Sequence, residues 1–357
     1  MRDQKTPTRE HGALMCLLGS CSRRTVFGML TRFGNAEQAM QHLSDSPTPS
    51  SESLVSECKE QQINSVGYFD DSFPPLLREI PDPPVLLYFR GDLNVAKARA
   101  VAIVGSRRST AAGVNIAEHL AEELAGTGIG VVSGLARGID SAAHRGVLRG
   151  CKRLGGQTIA VLGSGIGRIY PRLNSALAHE IVLSGGLLLS EYAPFASPQR
   201  HQFPERNRLI SGLSLGVVVV EASERSGSLI TARLGLEQGR EVMAVPGPVG
   251  SANSPGCHRL LKQGAALIEG TGDIIEALGL MADSDSSSSH SDSVKPAMPV
   301  GELRQILESV RFEPTTFDEI VDGSCVSTER VTGYLVELEL EGFVQRLAEG
   351  YIRRPFG

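Results

Sequence analysis

Residues 101–146 read VAIVGSRRSTAAGVNIAEHLAEELAGTGIGVVSGLARGIDSAAHRG. Val101 to Gly105 is a run of small and β-branched apolar residues, the composition of a strand buried on both faces of a parallel sheet. A polar turn follows from Ser106 to Thr110, then an amphipathic helix with Ile116, Leu120 and Leu124 at four-residue spacing. Gly126 and Gly128 end that helix. A second buried strand spans Ile129–Val132, a glycine-bearing turn spans Ser133–Gly138, and a further helix starts near Ile139. A strand–turn–helix–strand unit of this kind places both glycine turns at carboxyl ends of strands, where backbone N–H groups and helix dipoles favour anions. Arg107 and Arg108 sit in the first turn and Arg137 in the second, so the expected anion is a phosphate.

The alternation of strand and helix continues to residue 278. Strands are expected at Thr158–Leu162, Leu187–Ser190, Val217–Glu221, Glu241–Val245 and Ala266–Ile268, with helices between them. The fold class is therefore α/β, a doubly wound Rossmann-like domain. It is flanked by a small N-terminal helical domain and a C-terminal winged-helix domain. Residues 1–65 form the helical domain, glycine-punctuated like helix–hairpin–helix or sterile-alpha-motif modules and equally like a plain helical cap. Residues 66–280 form the Rossmann-like domain. Its lead-in carries prolines at 74, 75, 81, 83 and 84, which exclude regular helix over most of it, and Val85–Phe89 can add a strand. Residues 281–299 are a serine- and acid-rich linker. Residues 300–357 hold three helices and a hairpin turning at Ala348–Gly350, the winged-helix pattern.

The net charge of −5 over 357 residues conceals a segregation. Residues 101–175 hold nine basic and four acidic residues, a local +5, whereas residues 271–357 hold seven basic and sixteen acidic, a local −9. The first region suits a polyanion and the second repels one. Six cysteines are scattered without a C-x-x-C pair, so reduced thiols in a cytoplasmic protein are expected, with no metal site. Neither the N-terminal ALMCLLG nor the strand at Val217–Val220 has the length of a membrane span or the build of a signal peptide.

Several motifs carry the chemistry. The GSRRS turn offers Gly105, Ser106 and Arg107 as a nest of donors with a guanidinium able to grip phosphate bidentately. FPERNRLISG clusters Arg206, Asn207 and Arg208 with Arg200 and Phe203 just upstream. Cations around one aromatic suit a single-stranded backbone with one base stacked. In ERSGSLITAR, Gly227, Ser228 and Thr231 either donate to an anion at a helix N-terminus or reflect ordinary capping by Ser228. GSGIG at 163–167 fails as a dinucleotide motif because Arg168 stands where the third glycine belongs, leaving a close-approach loop beside the groove. His144 reads as a hydrogen-bonded core histidine. No triad-like or metal-ligating set recurs, so no catalytic residue and no cofactor is expected. The third helix of the winged-helix domain carries Glu329, Glu337, Glu339 and Glu341 against Arg330, which disfavours DNA reading by that helix and leaves partner or intramolecular contact.

The ordered blocks FPPLLREIPDPPVLLYFRGD, VAIVGSRRST, VVSGLARGIDSAAHRG, TIAVLGSGIGRIYP, FPERNRLISGLSLGVVVVEASERSGSLITAR, EQGREVMAVPGPV and GCHRLLKQGA together resemble the DNA-processing protein A (DprA/Smf) family. The resemblance covers residues 68–278 almost continuously. It implies a cytoplasmic, non-enzymatic protein of natural transformation that binds and protects incoming single-stranded DNA. Such a protein loads a RecA-type recombinase, displaces single-strand-binding protein and forms a homodimer through the Rossmann-like domain. It further implies groove roles for Gly105, Ser106, Arg107, Phe203, Arg206 and Arg208. Two rival classes stand beside it. A nucleotide-processing Rossmann enzyme of the phosphoribohydrolase type needs a P-G-G-x-G-T-x-x-E signature that RSGSLITAR does not supply. A transcription factor built on the winged helix is opposed by the acidic tail.

Overall fold

In the computed structural model, residues 8–41, 51–154, 156–280, 299–347 and 349–354 are described. The linker expected at 281–299 lies outside them up to Met298, as do Pro47, Pro49 and the hairpin-turn residue Ala348. Four helices open the chain: α1 (Arg9–Ser20), α2 (Arg23–Phe33), α3 (Ala36–Gln41) and α4 (Ser51–Glu60). Next come β1 (Asn64–Gly67), the short α5 (Pro75–Arg78) and β2 (Leu86–Gly91). The wound region runs β3 (Ala100–Val104), α6 (Ala111–Gly126), β4 (Gly130–Ser133), α7 (Ile139–Leu154), β5 (Thr158–Val161), α8 (Ser175–Leu183) and β6 (Leu187–Ser190). It continues with α9 (Gln202–Gly212), β7 (Gly216–Val219), α10 (Ser228–Glu237), β8 (Glu241–Ala244), α11 (Pro255–Lys262), β9 (Ala266–Leu267) and α12 (Thr271–Ala277). The C-terminal unit is α13 (Glu302–Ser309), α14 (Phe317–Ser324), α15 (Thr328–Leu340), β10 (Val344–Leu347) and β11 (Gly350–Arg353).

The sheet order is β1-β2-β6-β5-β4-β3-β7-β8-β9. All pairings from β6 to β9 are parallel, whereas β2 pairs antiparallel with both β6 and β1. The chain winds outward from β3 in one direction through β4, β5 and β6, then returns to β3's other side with β7. The carboxyl ends of β3 and β7 thus flank a topological switch point, the place where open α/β sheets bind ligands.

Side-chain alternation along β3 divides the core. Val101 and Ile103 face α6 and α7 (Leu120, Leu124, Ile139, Val147), while Ala102 and Val104 face the cluster holding Leu209 and Ile210 of α9 and Leu229 of α10. Thr110 caps α6 by accepting from the Gly113 N–H at 3.0 Å. Helix α7 lies close enough to α6 that a Cβ on Gly146 would stand 2.0 Å from the Glu118 carbonyl oxygen, which is why two glycines one turn apart, Gly146 and Gly150, face that helix.

The expected boundary at 65/66 cuts through β1. NSVG is too short and too polar to announce a strand, yet it extends the sheet at its far edge. The N-terminal helices share one apolar cluster with Leu86, Tyr88, Ala160 and Leu188 of the sheet, so the helical module packs on the sheet. An ion network reinforces that junction. Arg208 Nη2 donates to Glu191 at 2.6 and 2.7 Å and Arg208 Nε to Asp82 at 3.0 Å, while Arg23 of α2 donates to Glu191 at 2.6 Å. The C-terminal unit has its own core, built on Ile306, Ile320, Leu335 and Phe343, and a bridge between Thr315 and Tyr351 adds a second short pairing to the wing. No helix among the described residues is long and apolar enough to cross a membrane.

Removing Glu191 leaves two guanidinium groups without their shared carboxylate, and breaking a buried pair costs about 3 kcal/mol or more. Glu191→Ala is therefore expected to lower the free energy of unfolding in urea by about 3 kcal/mol. A loss below about 1 kcal/mol would show that the network contributes little.

Candidate functional site

The GSRRS turn leaves β3 at the switch point and is held by side chains arriving from β7 and the 246–254 loop. Glu221 accepts from the Thr110 N–H at 3.0 Å, the Thr110 hydroxyl at 2.6 Å and Asn253 Nδ2 at 3.2 Å. Asn253 also donates to the Arg108 carbonyl at 2.8 Å, and the Ser106 hydroxyl accepts from the Arg108 N–H at 3.1 Å. Burial pushes the Glu221 carboxyl upward and its hydrogen bonds to Thr110 and Asn253 hold it down. Gly105 is required by space, since a Cβ there would stand 2.6 Å from Ile139. With its backbone tied down, the turn projects Arg107 and Arg108 outward into solvent.

The FPERNRLISG block is helical, and that separates its residues. Positions 203, 206, 207 and 210 share one face of α9, whereas Arg208 lies well round the helix from Arg206. Arg206 is only 3 % exposed and donates to the carbonyls of Gly134, at 2.8 Å, and Val161. Asp140 completes its setting: its carboxylate accepts from the N–H groups of Gly134 at 3.1 Å and Ala136 at 3.4 Å. Burial foremost, with the charge of Arg107 adding to it and Asp140 opposing it, lowers the Arg206 pKa to about 10. It stays protonated at neutral pH. Asp140 is raised by burial, with Arg206 the largest opposing influence. Arg208, expected in the groove, points instead into the Glu191–Asp82 network and is corrected to a structural cation.

Phe203 lies one turn before Arg206. Arg107 stacks over its ring at 5.3 Å and Tyr170 packs beside it at 5.5 Å between centroids. The three glycines at 163, 165 and 167 explain themselves as clearance. A Cβ at Gly163 would stand 2.7 Å from the Phe203 ring, at Gly165 2.2 Å from the Ala193 carbonyl oxygen, and at Gly167 2.6 Å from Phe195. Helix α10 begins at Ser228 with Gly227 as its N-cap and no side-chain cap, so capping by Ser228 does not occur. Its hydroxyl meets Ser226 Oγ at 2.7 Å instead. Nothing stands within 4 Å of a Cβ placed on Gly227, which leaves that helix end open to the groove.

Two depressions of about 1190 and 840 Å³ share Arg107, Arg108, Ala136, Tyr170, Phe203 and Arg206 and form one groove. It gathers Gly105, Ser106, Arg107, Arg137, Arg200, Phe203, Arg206, Asn207, Gly227, Ser228 and Thr231, every site residue expected from the sequence except Arg208. It also takes in Arg168, Tyr170 and Arg172, which follow the glycine loop. Those three were missed as site residues because the failed dinucleotide motif drew attention to the glycines, although the basic count of the region already included both arginines. Asp140 is the one carboxylate lining the groove among the described residues. No group of three His, Cys, Asp or Glu among them is placed to hold a metal. His144 lies under the groove, fully buried, with Nδ1 2.6 Å from Thr158 Oγ1, as a core histidine should.

The family model for DNA recombination-mediator protein A matches residues 64–279, and that for the DprA winged helix domain matches residues 293–350. The chain belongs to the DNA recombination-mediator protein A family. It is 40% identical to Protein Smf of Escherichia coli over 321 residues, spanning 88% of this chain and 84% of that one. The solved structure of DNA processing protein A from Streptococcus pneumoniae superposes with a TM-score of 0.59 at 34% identity, covering 76% of this chain and 94% of that one. The Helicobacter pylori protein, described for its single-stranded DNA binding mode, superposes at 0.55 with 32% identity, covering 61% and 96%. The recombination-mediator match begins at the first residue of β1, so the family unit includes the edge strand that the sequence boundary divided.

Burial lowers the His144 pKa to about 3, with Arg206 and Arg145 adding to it. An ordinary histidine titrates near 6.5, so the unfolded chain binds more protons here between about pH 6.5 and 3, and stability falls as pH drops through that window. Between pH 7.5 and 5 this amounts to about 2 kcal/mol. The urea stability of His144→Leu should therefore fall by about 2 kcal/mol less than the parent's over that interval. Equal losses in the two proteins would place the proton uptake elsewhere.

Proposed function

We propose that this groove binds single-stranded DNA through its sugar–phosphate backbone, and that the protein uses the bound strand as a recombination mediator. One observation carries the reading. Arg107, Arg108, Arg137, Arg168, Arg172 and Arg200 line the groove, all exposed, and none makes an ion pair among the described residues. Cations left unneutralised around a tilted Phe203–Tyr170 pair match a strand whose phosphates are gripped and whose base is splayed onto a ring. The N-terminal end of α10, open at Gly227, adds the positive end of its helix dipole. The family is one of recombination mediators, and the carboxylate in the groove accepts from two backbone N–H groups within the field of Arg206, a setting that supports a structural role for it.

Protection of incoming DNA in natural transformation, loading of a RecA-type recombinase, displacement of single-strand-binding protein, a homodimer and a cytoplasmic setting belong to the same proposal and are supported by family membership. Backbone-led binding should be insensitive to sequence and steeply dependent on salt.

Arg107→Ala combined with Arg168→Ala removes two rim cations without touching the buried Arg206. Affinity for oligo-dT, read by fluorescence anisotropy, should fall about tenfold to a hundredfold in low salt. The slope of log K against log salt should shrink by about 1.4, the loss of two single-strand phosphate contacts. An unchanged affinity and slope would remove the strand from this groove.

A further inference from the structure

We infer that the outer face of α15 docks into the arginine groove of the same chain when no DNA occupies it; the occupant it yields to is the strand of the preceding reading. The C-terminal unit keeps the helix order of a DNA-reading winged helix but presents the wrong charge. From Pro299 to Arg354 it carries six arginines against eleven carboxylates. On α15 the exposed face holds Glu329, Glu337 and Glu341 at its C-cap, none of which forms an ion pair among the described residues. Arg330, the helix's one cation, is consumed by Glu302 at 2.7 Å and Tyr334 at 2.8 Å. The same face leaves Val336 52% and Leu340 84% exposed, one turn apart between the acids.

The groove offers the complement in both respects. Its rim arginines form no ion pair among the described residues, and two large apolar residues stand exposed among them, Tyr170 at 45% and Leu173 at 73%. Carboxylates one helical turn apart with leucine and valine between them match arginines with tyrosine and leucine between them. A duplex would be repelled by α15, and a second acidic surface would be repelled as well.

The connection permits the contact. Residues 281–298 number 18 and can span at most about 60 Å. A tether of that kind gives an effective concentration on the order of millimolar. A docking interaction with an intrinsic Kd of about 1 mM is then half occupied, and one of about 0.1 mM is about nine-tenths occupied. Occupancy at those levels weakens strand binding about twofold to tenfold.

The test uses the full chain. Val336→Ser with Leu340→Ser removes apolar contact and leaves the charge unaltered; the expected result is a twofold to tenfold gain in oligo-dT affinity in low salt that disappears at high salt. Glu337→Gln with Glu341→Gln should give a gain of the same order. A benzophenone amino acid in place of Leu340 should crosslink to residues 168–173 within one chain, at a yield independent of protein concentration and suppressed by excess oligo-dT. Unchanged affinity in both double variants, or crosslinks that avoid the groove or form only between chains, would overturn the docking. A parent that fails to bind oligo-dT yet still crosslinks to 168–173 would sink the strand-binding reading and keep the contact.

Discussion

A guanidinium taken out of water costs several kcal/mol, and the floor of the groove is arranged to meet that cost at Arg206. The carbonyls of Gly134 and Val161 close the ends of β4 and β5, and Arg206 bridges both from α9. Asp140, at the start of α7, supplies the countercharge and turns back to the Gly134 N–H. One buried cation therefore ties two strand ends and two helices together. Gly134 has no room for a Cβ because Arg206 and Asp140 converge there, at 2.6 and 2.7 Å from where it would lie. With Arg206 seated, α9 has one rotational setting, and that setting delivers Phe203 onto Gly163 and beneath Arg107.

The arginines accordingly divide into two kinds. Arg208 is buried and paired with carboxylates, and Arg206 is buried on two backbone carbonyls within the field of Asp140, so the work of both is architectural. The rim arginines are exposed and uncancelled, and they set the field that a passing anion meets. A rim cation contributes through counterion release and bidentate contact with phosphate, neither of which reads a base. A base laid on either of the tilted rings would be tolerated whatever its identity, since every base has a π-face. Indifference to sequence is thus a property of the whole groove.

The fold was legible because its signals are short-range. Buried parallel strands such as VAIV and GVVV announce themselves by composition, and the turns between them by glycine. The site was legible in part, and the misplacement of Arg208 has a definite cause. FPERNR reads as a cluster of cations by proximity in sequence, but on a helix residues two apart diverge, and Phe203, Arg206 and Asn207 at three- and four-residue spacing share the groove face while Arg208 leaves it. The recognisable signal for Arg208 was the pair of acids it needs, yet Asp82 and Glu191 are 126 and 17 residues away and no local pattern links them. β1 was lost for a similar reason: its pairing with β2 bridges the 18-residue gap between Gly67 and Leu86, and four residues carry too little periodicity to show it.

A protein of net charge −5 that holds a polyanion cannot rely on its total charge. At physiological salt the field of an exposed charge decays over about 8 Å, so carboxylates farther than that from the groove neither help nor hinder the strand. The net charge of the chain is then nearly irrelevant to binding, and the placement of charge decides it. The acids of the C-terminal unit count only if they come within that distance of the rim, where each faces an arginine that a phosphate would otherwise hold. On the readings proposed above, segregating basic groove from acidic module gives one chain both a surface for the strand and a competitor for that surface. Because both proposed contacts are built on the same screened charges, salt weakens the two together, and at high salt the tethered module ceases to compete for the groove.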